Sequence, residues 1–205
     1  MEKGLVPLMH FVLLGFLPMW RMQSSKHPAY AAGCGQLFMA DARAYRSAGG
    51  HAAIKGSRHD GITLPRTFRN AGFMTDVVDG TDLADVRMYR SSAEVIRGVL
   101  KNADEALARP ALIVPVTLFC FAPLASLIGC MIFLVDRNNT AGSLMLLSLV
   151  AACLSRLAAA RRFSQPLVSA FLHPFALPLF GVLQWVSLSF RLSGRRIAWR
   201  GRLQS

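Results

Sequence analysis

Three clusters in the sequence have residue types and spacing that could do chemistry: Gly33-Cys34-Gly35-Gln36, His59-Asp60 and Arg87-Met88-Tyr89-Arg90. A Gly-x-Gly presents no side chain at either glycine, so a ligand or another stretch of backbone can come close. An aspartate can take the proton of a hydroxyl that comes within hydrogen-bond reach. Paired arginines attract phosphates and headgroups. Each cluster also has a plainer use: the glycines as a turn, Asp60 as a helix N-cap, the arginines as a solvated surface. The four cysteines point to no zinc site or disulfide scaffold. Cys34 lies between two glycines, Cys120, Cys130 and Cys153 lie inside apolar runs, and no pair has the CxxC spacing.

The segment from Arg21 to Pro110 must position these clusters, and it carries the punctuation of a folded α/β piece. Asp41 to Ala48 predicts a short helix stopped by Gly49-Gly50. Asp60 to Ala71 predicts a second, with Asp60 as N-cap, Leu64 and Phe68 one turn apart and Gly72 as the stop. Pro65 removes one backbone bond, so that helix is expected to begin late. Phe73 to Val78 and Asp82 to Tyr89 read as strands, the latter with Ala84, Val86 and Met88 alternating onto one face. The capping box Ser91-x-x-Glu94 opens a helix to about Leu107, expected to lie along a membrane interface.

Composition places this segment beside a bilayer. The 205 residues are 53% hydrophobic and only 17% charged, which excludes intrinsic disorder, and the net charge is +12. Residues 1–110 contribute +4 of this charge, while residues 111–205 contribute +8 from nine arginines and one acid, Asp136. Arginines that punctuate apolar runs suit a membrane surface rather than nucleic acid, whose binders cluster their cations on a soluble face.

Residues 111–135 are 25 residues without a charge, enough to cross a bilayer. Residues 141–160 form a second block in which Arg156 is expected to snorkel to the interface, closed by Arg161-Arg162. Residues 166–190 form a third, interrupted by Pro166, Pro174 and Pro178, which either spans or, as the charge of the tail favours, dips in and returns as a proline-broken re-entrant segment, followed by a basic tail at 191–205. The positive-inside rule then puts 21–110 and the tail in the cytoplasm. Residues 1–20 are apolar but short and proline-interrupted, an interfacial or re-entrant segment rather than a signal peptide, since their start is not net positive.

Taken in order, the clusters resemble the acceptor half and membrane region of glycosyltransferase family 2 enzymes of the membrane-bound branch, which includes ceramide-, carotenoid- and hopanoid-type glucosyltransferases. The resemblance is carried by Ala32-Gly33-Cys34-Gly35-Gln36-Leu37-Phe38, by Ala44-Tyr45-Arg46-Ser47-Ala48-Gly49-Gly50-His51, and by His59-Asp60 through Arg69-Asn70-Ala71-Gly72-Phe73. Arg87-Met88-Tyr89-Arg90-Ser91, Lys101-Asn102-Ala103 and Trp199-Arg200-Gly201-Arg202 continue it. It implies an α/β remnant of a GT-A-like domain followed by a helical transmembrane region. It implies Asp60 as general base on a lipid-like acceptor hydroxyl, with inversion at the anomeric carbon. His59 stands where the family has glutamate. Gly33, Gly35, Gln36 and His59 would line the acceptor. Arg87, Arg90, Trp199 and Arg200 are implied phosphate or headgroup contacts, Trp199 and Arg200 fitting an interfacial anchor equally well.

The family's donor half carries an Asp-x-Asp that holds Mg or Mn on the nucleotide-sugar diphosphate. Here Asp76, Asp79, Asp82 and Asp85 are spaced by three and follow Asp60, so no such motif is present. The chain is therefore expected to lack a metal site of its own, to meet a nucleotide-sugar only when a donor-binding half is supplied, and to be inactive alone. Two rivals stand beside this. A His-Asp metallophosphohydrolase, using His51 and His59-Asp60, would need further His and Asp ligands. A non-catalytic membrane protein binding anionic lipids or a partner subunit needs only the charge pattern.

Overall fold

The computed structural model describes residues 1–57, 59–103, 107–135, 139–194, 198–199 and 202–203. In chain order the helices are α1 Glu2–Leu5, α2 Leu8–Phe16, α3 Met19–Ser24, α4 Ala42–Ser47, α5 Asp60–Asn70, α6 Ser92–Ala103, α7 Ile113–Val135, α8 Asn139–Arg162, α9 Val168–Phe171 and α10 His173–Leu192, followed by β1 Ala198–Trp199 and β2 Arg202–Leu203. The chain divides into two units, residues 12–86, and residues 1–11 together with 87–205.

The expected α/β architecture is not there. The chain is mostly helical, and among the described residues the only ladder is the two-residue antiparallel pairing of β1 with β2. Extended backbone becomes sheet only when a neighbour takes its N–H and C=O groups, and the two expected strands have other partners. Residues 73–78 are tied by side chains: Thr75 to Arg69, and Asp76 Oδ1 to the Val77 N–H at 2.8 Å. The second opens in a turn, where Leu83 and Ala84 donate to the Gly80 carbonyl, and its alternating Ala84, Val86 and Met88 are all exposed.

In the unit of residues 12–86, α4 begins where Asp41 Oδ1 accepts from the N–H groups of Arg43 and Ala44 at 2.9 Å. It stops at Gly49 and Gly50, both at positive φ (77° and 52°), as the sequence predicts. The Tyr45 ring then lies over Gly50, and its hydroxyl binds His51 Nδ1 at 2.6 Å and the His51 N–H at 3.0 Å. Ala48, Ile54, Leu64 and Phe68 form the core, with Phe38, Tyr45 and Phe73 against it.

Helix α5 buries Gly61, Leu64, Pro65, Phe68 and Arg69 along one stripe. Arg69 is 3% exposed. Its Nε donates to Thr75 Oγ1 (2.8 Å), one terminal nitrogen to the carbonyls of Met22 (2.7 Å) and Thr75 (2.8 Å), and the other to those of Ser25 and His27. Burial lowers its pKa and the neighbouring Asp76 raises it in part, but a guanidinium keeps its charge under ordinary conditions.

In the other unit, α7, α8 and α10 are each long and apolar enough to cross a membrane. Small residues let them approach. Ser126 and Ser148 share a hydrogen bond (3.1 Å) and Gly129 admits Met145 between α7 and α8, while Gly181 lies against Cys120 and Trp185 donates to Thr117 Oγ1 (2.8 Å) between α7 and α10. Of the third block's prolines, Pro166 lies in the non-helical stretch before α9 and Pro178 does not break its helix. Pro174 falls in the first turn of α10, where no N–H is needed, and the helix runs on across Pro178; the interruption lies earlier, at Leu172.

Near α10, Gly4 of α1 faces Ala176 and Leu172. The predicted capping box opens α6: Ser91 Oγ accepts the Glu94 N–H (3.2 Å), while Glu94 Oε2 takes the N–H of Arg90 (2.8 Å). Helix α6 is described to Ala103, with residues 104–106 of its expected end outside the described residues. It packs on α10, where Ser187 Oγ donates to the Leu100 carbonyl (3.3 Å) and Leu188 joins Ala103, Ala108 and Ile113.

Arg69→Met leaves four backbone carbonyls and Thr75 Oγ1 without their donor, and each unsatisfied buried group costs about 1–3 kcal/mol. The variant is expected to lose roughly 3 kcal/mol of stability in residues 12–86 and to expose residues 22–30 to protease. Unchanged cleavage and hydrogen exchange in that stretch would show that Arg69 does not hold it.

Candidate functional site

The structure brings together the glycine loop at residues 33–36 and the start of α5. Asp60 is not the N-cap; His59 is, without a side-chain bond to the helix, and Asp60 is the first helical residue. Nor does Pro65 delay the helix, which runs through it from Asp60 to Asn70. The missing N–H of Pro65 instead leaves the Gly61 carbonyl, four residues back, without a helical donor. The Gly33 N–H fills that place at 2.7 Å.

Contacts then fix three glycines. A β-carbon at position 61 would lie 2.7 Å from the Gly33 carbonyl oxygen, and one at position 33 would lie 3.0 Å from Pro65 Cγ. One at position 35 would lie 2.6–2.7 Å from all three atoms of the Asp60 carboxylate group. The Gly61 N–H donates to Asp60 Oδ1 (2.9 Å), and among the described residues Oδ2 has no hydrogen bond. Asp60 is thus an exposed carboxylate, held by a helix N-terminus and flanked by bare backbone, which can accept a proton from an incoming hydroxyl.

Of the other expected site residues, Gln36 is exposed and accepts from Cys34 Sγ through Oε1 at 3.1 Å. His59 is half-buried, and its N–H donates to Ser57 Oγ (3.2 Å). Arg87 and Arg90 lie in the other unit. Arg87 pairs with Glu2 at 3.8 Å, a solvated pair of little energetic weight, and both arginines are exposed. Trp199 lies in β1, paired with Arg202 of β2. Arg200 lies outside the described residues. Tyr89, between the two arginines, is turned onto Gly98 of α6, and burial raises its pKa.

No group of three His, Cys, Asp or Glu able to hold a metal occurs among the described residues. His51 is engaged by Tyr45 rather than gathered with His59 and Asp60. The residue that sequence reasoning missed is Arg69. Its signal was position: with Gly61, Leu64, Pro65 and Phe68 it completes an i, i+3, i+4, i+7, i+8 stripe, the buried face of a helix.

Compared with known protein families, curated proteins and solved structures, the chain finds no match. The site therefore rests on its own geometry. Two glycine substitutions separate its parts. Gly61→Ala drives a methyl into backbone and is expected to destabilise residues 12–86 by about 1–3 kcal/mol. Gly35→Ala meets only the mobile end of an exposed side chain and is expected to leave the unfolding midpoint nearly unchanged while turning the Asp60 carboxylate away. Equal destabilisation by the two, read by thermal unfolding, would refute this division.

Proposed function

We propose that this membrane protein supplies the acceptor side of a glycosyl transfer, with Asp60 as general base on the hydroxyl of a lipid-like acceptor. The observation that carries this is the Asp60 carboxylate against Gly35: an oxygen free to take a proton, on a surface where a side chain at position 35 would push that carboxylate aside. The acceptor oxygen gives its proton to Asp60 as it attacks the anomeric carbon of a nucleotide-sugar, and the nucleoside diphosphate leaves. The sugar nucleotide and its divalent cation belong, on this proposal, to a separately supplied donor-binding module. Neither the family nor its fold is needed for the acid–base step, which asks only for the carboxylate and its approach.

With that module supplied, Asp60→Asn is expected to lower transfer to a lipid acceptor about 10²–10⁴-fold with an unchanged unfolding midpoint. Transfer that survives the substitution removes Asp60 from the chemistry and leaves a non-catalytic, lipid-binding membrane protein.

For the orientation, we infer that residues 21–110 face the cytoplasm. Helices α7 and α8 are antiparallel neighbours, so the cations before α7 (Arg97, Lys101, Arg109) and in the last turn of α8 (Arg161, Arg162) fall on one side, which the positive-inside rule makes cytoplasmic. In a cysteine-free background, Met39→Cys and Arg161→Cys are expected to react with an impermeant maleimide only after cells are opened. Labelling of intact cells at either site reverses the orientation.

A further inference from the structure

Arg156 does not snorkel. It lies near the C-terminal end of α8 and is 0% exposed, as is His173 at the start of α10. One terminal nitrogen of Arg156 donates to Gln165 Oε1 (2.5 Å) and Ser169 Oγ (3.0 Å). Its Nε and its other terminal nitrogen have no partner among the described residues, and neither has either ring nitrogen of His173. Arg156 on α8 and His173 on α10 lie on helices that pack against each other and against α9. Ser169 lies in α9, and His173 opens α10 just past the single residue, Leu172, that separates the two helices.

A buried cation without a counter-charge is among the costliest arrangements in a membrane region. Among the described residues no carboxylate pairs with it, and the one acid in the sequence beyond residue 110, Asp136, precedes α8, while Arg156 sits near the far end of that helix. The unspent groups are nearly all donors, namely two guanidinium nitrogens, the Ser169 hydroxyl proton and one His173 N–H. A donor-rich, net positive cluster fits an anion, and its level suits phosphate, because Arg156 lies about 9 Å from the end of a spanning helix, where headgroups lie.

The outer cover is slight. Gln165 is half-buried, and its Nε2 meets Nδ1 of the exposed His10, which stacks on Phe163. The neutral Gln165 oxygen occupies the place on the guanidinium where an anionic oxygen would bind more strongly.

The geometry points to a phosphate-group site at Arg156, Ser169 and His173, entered by displacement of the Gln165 side chain. The phosphate comes from a lipid headgroup or from a free phosphate compound. The full chain, purified in phosphate-free maltoside detergent, is titrated with inorganic pyrophosphate, with short-chain phosphatidylglycerol in mixed micelles, and with diacylglycerol as the phosphate-free lipid, following the unfolding midpoint. A saturable rise with pyrophosphate assigns a free phosphate compound; a rise with phosphatidylglycerol alone assigns a headgroup.

Arg156→Met, which removes the charge but keeps the bulk, is expected to weaken binding at least tenfold, Ser169→Ala and His173→Phe several-fold, and Gln165→Ala not at all. If Arg156→Met does not fold, the Ser169 and His173 variants carry the same test. A wild-type chain that responds to neither phosphate compound, or that responds to diacylglycerol equally, overturns the site. So does a response undiminished in Arg156→Met or, where that variant does not fold, in both Ser169→Ala and His173→Phe.

Discussion

A single missing hydrogen organises the unit that holds Asp60. Because Pro65 has no N–H, the Gly61 carbonyl has nothing to accept from within α5, and a buried carbonyl left alone costs free energy comparable to a lost hydrogen bond. The Gly33 N–H supplies the bond, and in doing so pins the glycine loop to the first turn of the helix. Everything else about the site follows from that pin. Gly61 must be bare because the Gly33 carbonyl passes over it, and a side chain at Gly35 would turn the Asp60 carboxylate away, because the loop next runs beside it. A residue usually regarded as a helix breaker here makes the helix a docking edge.

Arg69 does the complementary work at the other end of the same helix. Its guanidinium gathers carbonyls from residues 22–27 and from Thr75, segments with no sheet to satisfy them. A planar group with five donors in fixed directions is suited to this, where a lysine ammonium would not reach all the acceptors. Helix α5 therefore carries a loop on its first turn and a clamp on its last, and its apolar stripe supplies the core between them. In the membrane-spanning unit, polar side chains serve the opposite end: Ser126, Ser148 and Thr117 spend their hydrogen bonds between apolar helices, while Arg156 and His173 are left with donors to spare.

Much of this was legible in the sequence. The stop at Gly49-Gly50, the Asp41 start of α4, the capping-box pair Ser91 and Glu94 and the apolar lengths of the first two spans all depend on neighbours a few residues away, and local pattern reads such neighbours well. The ordered motifs also singled out Gly33, Gly35 and Asp60, which the fold places together. What was not legible depends on distant partners. Residues 73–78 and 82–89 have the composition of strands, but whether extended backbone becomes sheet is decided by what lies beside it, and here side chains and turns took the bonds. Pro65 was read as a loss at the helix start rather than as a vacancy on Gly61, since the donor lies in another segment. Arg156 was read by its length and charge, which suit snorkelling, whereas Ser169 and Gln165 hold it inside.

Cys34 stands between two glycines that pack against α5, yet its own side chain is exposed, with Sγ turned to Gln36. The loop thus has one free variable. Its flanks lie against α5, Gly33 at Pro65 and Gly35 at the Asp60 carboxylate, while the middle position looks outward and can change in size, polarity or charge. Evolution could retune the surface beside Asp60 through that one codon, leaving the carboxylate where the Pro65 vacancy put it.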